Sequence, residues 1–162
     1  MNKFKITAVS ILFLTLSFFT SCSSDDDASI PQGGDTFMTY TVNGVIYEYS
    51  NIATAQSAGI SINATQGSTG DPDYSFISIL FPLDLQTGIF TFTGDSFQDG
   101  DYKLRLDSNP LNITGEWAVS GSVTVDSVDA DNIIGTFTAT IFDDDGNTTT
   151  LVDGEFDAPN TF

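Results

Sequence analysis

Apolar and polar positions divide the chain into three unlike stretches. Ile6 to Phe19 is an apolar run broken only by Thr and Ser, and residues 23–35 show no apolar periodicity. From residue 36 onward, apolar residues alternate with Thr and Ser in short runs separated by Gly, Asn, Asp and Pro. No window there carries helical i, i+3, i+4, i+7 spacing over three turns, so residues 36–162 are predicted to be all-β. About nine short strands in that length predict a single antiparallel β-sandwich or β-barrel domain, and the pattern does not separate the two.

Two hairpins can be registered. Asn43-Gly44 suits a two-residue type I′ turn, because both residues tolerate positive φ and the turn matches the strand twist. Pairing outward from Val42–Val45 sets Tyr40 opposite Tyr47 and Met38 opposite Tyr49, with all six on one apolar face. At the other end, the pairs Phe137–Phe156, Ala139–Gly154 and Ile141–Val152 line up a second apolar face, with the turn centred on Gly146-Asn147. Between the hairpins, strands are predicted near 60–65, 74–81, 88–93, 101–106, 117–125 and 132–142. The stretch 74–81 (YSFISILF) is apolar enough to be a central strand.

The leader follows secretory grammar. Met1-Asn2-Lys3-Phe4-Lys5 is a short basic start, and the fourteen residues from Ile6 to Phe19 are too few to span a ~30 Å hydrocarbon core. Residues 1–21 are therefore predicted to be a signal peptide. Phe19-Thr20-Ser21-Cys22 resembles a bacterial lipobox, which implies that Cys22 is lipidated and becomes the first mature residue. Acyl chains on Cys22 would anchor stably, at ~0.8 kcal/mol per buried CH₂. Residues 22–35 then form the lipidated Cys and a flexible acidic tether, with an r.m.s. reach of ~20 Å. Its run Ser23-Ser24-Asp25-Asp26-Asp27 resembles the signal that sends lipoproteins of Bacteroidota to the outer face of the outer membrane.

Charge then narrows the function classes. The 162 residues hold 22 Asp+Glu against 4 Lys+Arg, no His and one Cys. Lys3 and Lys5 lie in the leader, so the mature chain keeps only Lys103 and Arg105 against all 22 acids. Such a polyanion is repelled by nucleic acid, which is excluded as a partner. Without His there is no Ser-His-Asp or Cys-His catalysis, and a lone Cys forms no internal disulfide.

The frame Phe37-x-x-Tyr-x-Val-Asn-Gly-x-x-Tyr, Gly121-Ser-Val-Thr-Val-Asp, Asn132-Ile-Ile-Gly-Thr-Phe-Thr-Ala and Asp153-Gly-Glu-Phe-Asp resembles small Bacteroidota lipoproteins of uncharacterised role. It covers most of residues 36–157. The resemblance implies a secreted β-domain and transfers no catalytic residue, because its motifs are those of hairpins.

Three groups of residues carry candidate chemistry. Asp143-Asp144-Asp145-Gly146-Asn147 is the densest acidic loop and the candidate Ca²⁺ site through Asp143, Asp144, Asp145 and Asn147. It does not fit the EF-hand pattern, since Thr148 falls where Gly is required; Asp126 to Asn132 is the next such loop. Trp117, Lys103 and Arg105 are the candidate ligand contacts: an amphipathic ring, and the two cations placed two apart on one strand face. Pairing with neighbouring acids is the plainer reading of the cations. A carboxylate-dependent hydrolase can be imagined, but 19 Asp against 3 Glu is what turn chemistry already predicts. The expected function is thus non-catalytic: an outer-membrane lipoprotein that binds an extracellular protein or glycan and needs no cofactor. The alternative is an envelope-accessory lipoprotein without a soluble ligand.

Overall fold

The computed structural model describes residues 36–162 apart from 96, 97 and 99. Cys22, Ser23, Ser24, Asp25, Asp26 and Asp27 lie outside the described residues. The domain is all-β and forms two open antiparallel sheets, a sandwich and not a closed barrel. Its eleven strands are β1 (Phe37–Val42), β2 (Val45–Tyr49), β3 (Asn51–Gln56), β4 (Ile60–Gln66), β5 (Ser75–Phe81), β6 (Gly88–Thr91), β7 (Lys103–Ser108), β8 (Ile113–Trp117), β9 (Ser120–Val128), β10 (Asn132–Phe142) and β11 (Thr148–Pro159). The larger sheet runs β2-β1-β11-β10-β9-β6 and the smaller runs β3-β4-β5-β7-β8. The inward residues of both merge into one core.

Eleven strands replace the nine expected. β3 is an edge strand of small and polar residues (NIATAQ) with weak alternation. β8 (ITGEW) holds a glycine mid-strand and reads as a turn. Trp117 therefore ends β8 and does not begin a strand running to 125; the chain breaks at Ala118-Val119 before β9. β5 is the middle strand of the smaller sheet, as its apolar run predicts.

The first hairpin has the predicted register, with Met38, Tyr40 and Val42 opposite Tyr49, Tyr47 and Val45. Asn43 and Gly44 both adopt positive φ, at 52° and 79°. Val45 is exposed, however, since burial falls away toward the turn end of β2. At the core end, Tyr40 and Tyr49 join hydroxyls at 2.9 Å, and Tyr49 reaches Ser75 of the other sheet at 2.6 Å. Burial pushes both phenols well above their ordinary range, so they remain protonated hydrogen-bonding groups at neutral pH.

The last hairpin departs from its predicted register. Phe137 faces Gly154, Ala139 faces Leu151 and Ile141 faces Thr149. The cause is a bulge at Val152-Asp153, where two residues oppose one and Asp153 takes φ 50°. Uniform alternation cannot cross such a bulge, so Leu151 is buried while Val152 turns to solvent.

This register gives physical meaning to the Gly-Thr-Phe and Gly-Glu-Phe phrases. Gly135 faces Phe156 while Phe137 faces Gly154, a reciprocal pair on the two central strands of the larger sheet. A Cβ on Gly135 would collide with the Thr124 carbonyl oxygen and fall 2.6 Å from the Phe156 ring, and one on Gly154 would fall 2.5 Å from the Phe137 carbonyl oxygen and 2.7 Å from its ring. Each glycine is the floor on which the other strand's phenylalanine lies.

We predict that Gly135→Ala and Gly154→Ala each destabilise by about 1–3 kcal/mol through overpacking. Phe156→Leu should offset part of the Gly135→Ala loss, since the two groups share one space. Urea unfolding of the four variants checks this; strictly additive losses would contradict the interlock. Ser108 is fully buried and its hydroxyl has no partner, so Ser108→Ala should be neutral or stabilising in the same assay.

Candidate functional site

The outer face of the smaller sheet brings together the three residues singled out as ligand contacts. On β7, Leu104, Leu106 and Ser108 are buried on the core side, so Lys103, Arg105 and Asp107 take the outer face. Arg105 pairs directly with Trp117 across β7 and β8. The guanidinium carbon lies 5.9 Å from the centroid of the indole ring and the Lys103 ammonium 5.3 Å from it, both within cation–π range.

The two cations are held differently. Lys103 is only 3 % exposed, and its ammonium donates to the Gly94 carbonyl at 2.8 Å. Its charge is withheld from solvent and supports the Trp117 ring from within the fold. Arg105 is half-buried and donates from Nε to the Gly115 carbonyl at 3.0 Å. Among the described residues no carboxylate lies within 4.0 Å of its guanidinium. The expectation that acids pair with it is therefore not met at Arg105.

Gly115 was not anticipated from sequence. It takes φ 66° at a bulge where the β7–β8 register shifts between Leu106 and Ser108, a backbone shape that suits glycine. A Cβ there would collide with Nη2 of Arg105. The missing side chain is the seat of the guanidinium.

Low and polar side chains lead away from this seat. One cross-strand row runs Ala53, Asn63, Ser78, Arg105, Trp117. Ser78 donates to Asn63 at 2.9 Å, and Asn63 donates to Ser61 at 3.0 Å. The next row, Ser61, Leu80, Lys103, borders a cleft of about 380 Å³ closed by Ser57–Gly59 on one side and Gln98, Gly100 and Asp101 on the other.

The acidic loop candidates serve structure. The Asp143 carboxylate accepts the backbone N–H of Asp145 at 3.0 Å and of Asn147 at 2.7 Å. Asn147 adds its side-chain amide at 3.2 Å. Asp144 accepts the Thr114 amide at 3.0 Å and its hydroxyl at 2.6 Å, and Asp145 accepts from Asn112 at 3.2 Å. The loop is thus closed on itself and latched to the start of β8. Among the described residues no three acidic, His or Cys side chains gather as a metal site, so Asp143, Asp144 and Asp145 do not converge as the Ca²⁺ reading requires.

The 126–132 loop folds by the same means. Asp129 accepts the N–H groups of Asp131 at 2.9 Å and Asn132 at 2.8 Å, and its backbone carbonyl accepts from the Asn160 amide. The backbone bonds hold the Asp129 and Asp143 carboxyls below the usual range. Asp157 behaves oppositely: burial first, then the Asp129 charge, raises its carboxyl, and its Oδ1 is buried without a partner.

No protein-family profile matches the chain, and no curated protein or solved structure matches it either. Among the described residues, no helix is long and apolar enough to cross a membrane.

The opposed shifts give a signed pH prediction. A carboxyl raised in the fold contributes stability below its unfolded value and loses it as pH rises through the folded value. Ionised Asp157 therefore weakens the domain at neutral pH. Asp157→Asn should melt above the parent at neutral pH, and the gap should close on acidification past the unfolded carboxylate range. Melting curves at stepped pH check this; an equal or lower neutral midpoint would refute it. The depressed Asp129 and Asp143 work the other way, contributing above the unfolded value and losing that contribution as pH falls through the folded one.

Proposed function

We propose that this chain is a lipoprotein held on the outer face of the outer membrane by acyl chains on Cys22, and that its β-sandwich is a non-catalytic binding module. The ligand face is the outer face of the smaller sheet. One observation carries the reading: the only tryptophan and both cations that follow the leader meet across two strands, in a chain otherwise charged by 22 acids. An indole is an amphipathic group suited to ligand contact, and a positioned guanidinium beside it gives such a contact direction. The cleft beside Lys103 extends the surface a ligand can occupy, and its volume lies within the ordinary range for small-molecule sites.

The lipobox-like stretch and the acidic run support the location. The domain's negative charge is repelled by anionic headgroups, which favours a module that faces away from the membrane.

Cys22→Ala should move the protein from the membrane fraction to the soluble fraction, and retention would refute lipid anchoring. Replacing Asp25, Asp26 and Asp27 with Ala should reduce protease shaving of intact cells, while undiminished shaving would leave the run a spacer. For the binding face, a glycan array probed with the detergent-solubilised chain should return hits that Trp117→Ala loses. Hits indifferent to Trp117 would move the site elsewhere.

A further inference from the structure

We propose that the seat formed by Gly115, Arg105 and Trp117 is an anion-recognising subsite that takes a saccharide bearing a carboxylate or a sulfate; this rests on the outer face of the smaller sheet being the ligand face.

The first argument is the donor set. An arginine fork offers several N–H donors matched to planar or tetrahedral oxyanions. Here Nε is taken by the Gly115 carbonyl, and the terminal nitrogens have no protein acceptor among the described residues. Arg105 is half-buried, so part of its side chain reaches solvent. Among the described residues no Asp or Glu carboxylate is placed on this guanidinium. Its charge is thus directed outward.

The second argument is preorganisation. Gly115 leaves space beneath Nη2, its carbonyl fixes Nε, and the Trp117 ring lies alongside Cζ. The side chain has little freedom left to lose when an anion arrives, which lowers the cost of binding.

The third argument concerns what carries the anion. Beyond Arg105 the buried Ser78 donates to half-buried Asn63 of the same row, and Asn63 donates to Ser61 of the next. Hydroxyl and amide groups of this kind match the hydroxyls of a sugar ring.

The test uses the full-length chain in detergent micelles and the emission of Trp117, the only tryptophan. Four probes are titrated at constant ionic strength: trigalacturonate, a sulfated chondroitin tetrasaccharide, neutral maltotriose, and a short Asp/Glu peptide. One or both acidic saccharides should give a saturable emission change, with the responding probe telling carboxylate from sulfate. Arg105→Gln should weaken that binding by about tenfold or more. Asp107→Asn removes a carboxylate from the same face and should tighten it several-fold. Equal binding of maltotriose would overturn acid recognition while leaving the ligand face standing. Equal binding of the peptide would overturn the saccharide. Binding unchanged in both variants would overturn the seat. No response to any probe would overturn both the seat and the ligand face.

Discussion

The larger sheet depends on one reciprocal contact, the interlock of two glycines and two phenylalanines on its central strands. Phe156 lies over Gly135 and Phe137 over Gly154, with the two rings 6.4 Å apart. The contact fixes register more tightly than alternation alone, because a slip of one residue replaces each glycine floor with a side chain that collides. From there the rings reach outward: Phe137 to Tyr40 on β1, and Phe156 to Phe81 on the opposing sheet. Two strands therefore set the positions of their neighbours and of the sheet across the core.

The second tie between the layers is polar. Tyr49 carries the hydroxyl chain from Tyr40 to Ser75, crossing from the larger sheet to the smaller. Each phenol is buried and would be costly without its partner, about 1–3 kcal/mol for an unsatisfied group. The same stretch of β5 then passes Ser78 to its outer face, where Asn63 accepts from it. Core and candidate ligand face are thus opposite sides of one strand, and the stability of the first supports the geometry of the second.

What could be read from residues alone follows the same division. The Asn43-Gly44 hairpin was legible because turn chemistry and an uninterrupted apolar alternation agree. The last hairpin was misread because Asp153 adopts positive φ in a bulge; aspartate tolerates that conformation but marks it less distinctly than glycine, and uniform alternation runs past it. β3 and β8 were missed since edge strands bury little and need little pattern. At the site, Lys103 and Arg105 share a face by simple two-residue periodicity. Their meeting with Trp117 required β8, and the seat at Gly115 required a bulge, so neither was visible along the chain.

The charge distribution follows from the same local rules. Asp129 and Asp143 close turns by accepting backbone N–H groups, and Asp144 latches a loop to Thr114. These acids stabilise connections at the sandwich rim. Among the described residues Arg105 has no acidic partner; it bonds the Gly115 carbonyl, Lys103 bonds the Gly94 carbonyl, and both flank an indole. In a polyanionic domain a single outward guanidinium is a selective feature. Long polyanions meet repulsion from the rest of the surface, whereas a ligand with one or a few acidic groups can reach the seat without crossing that field.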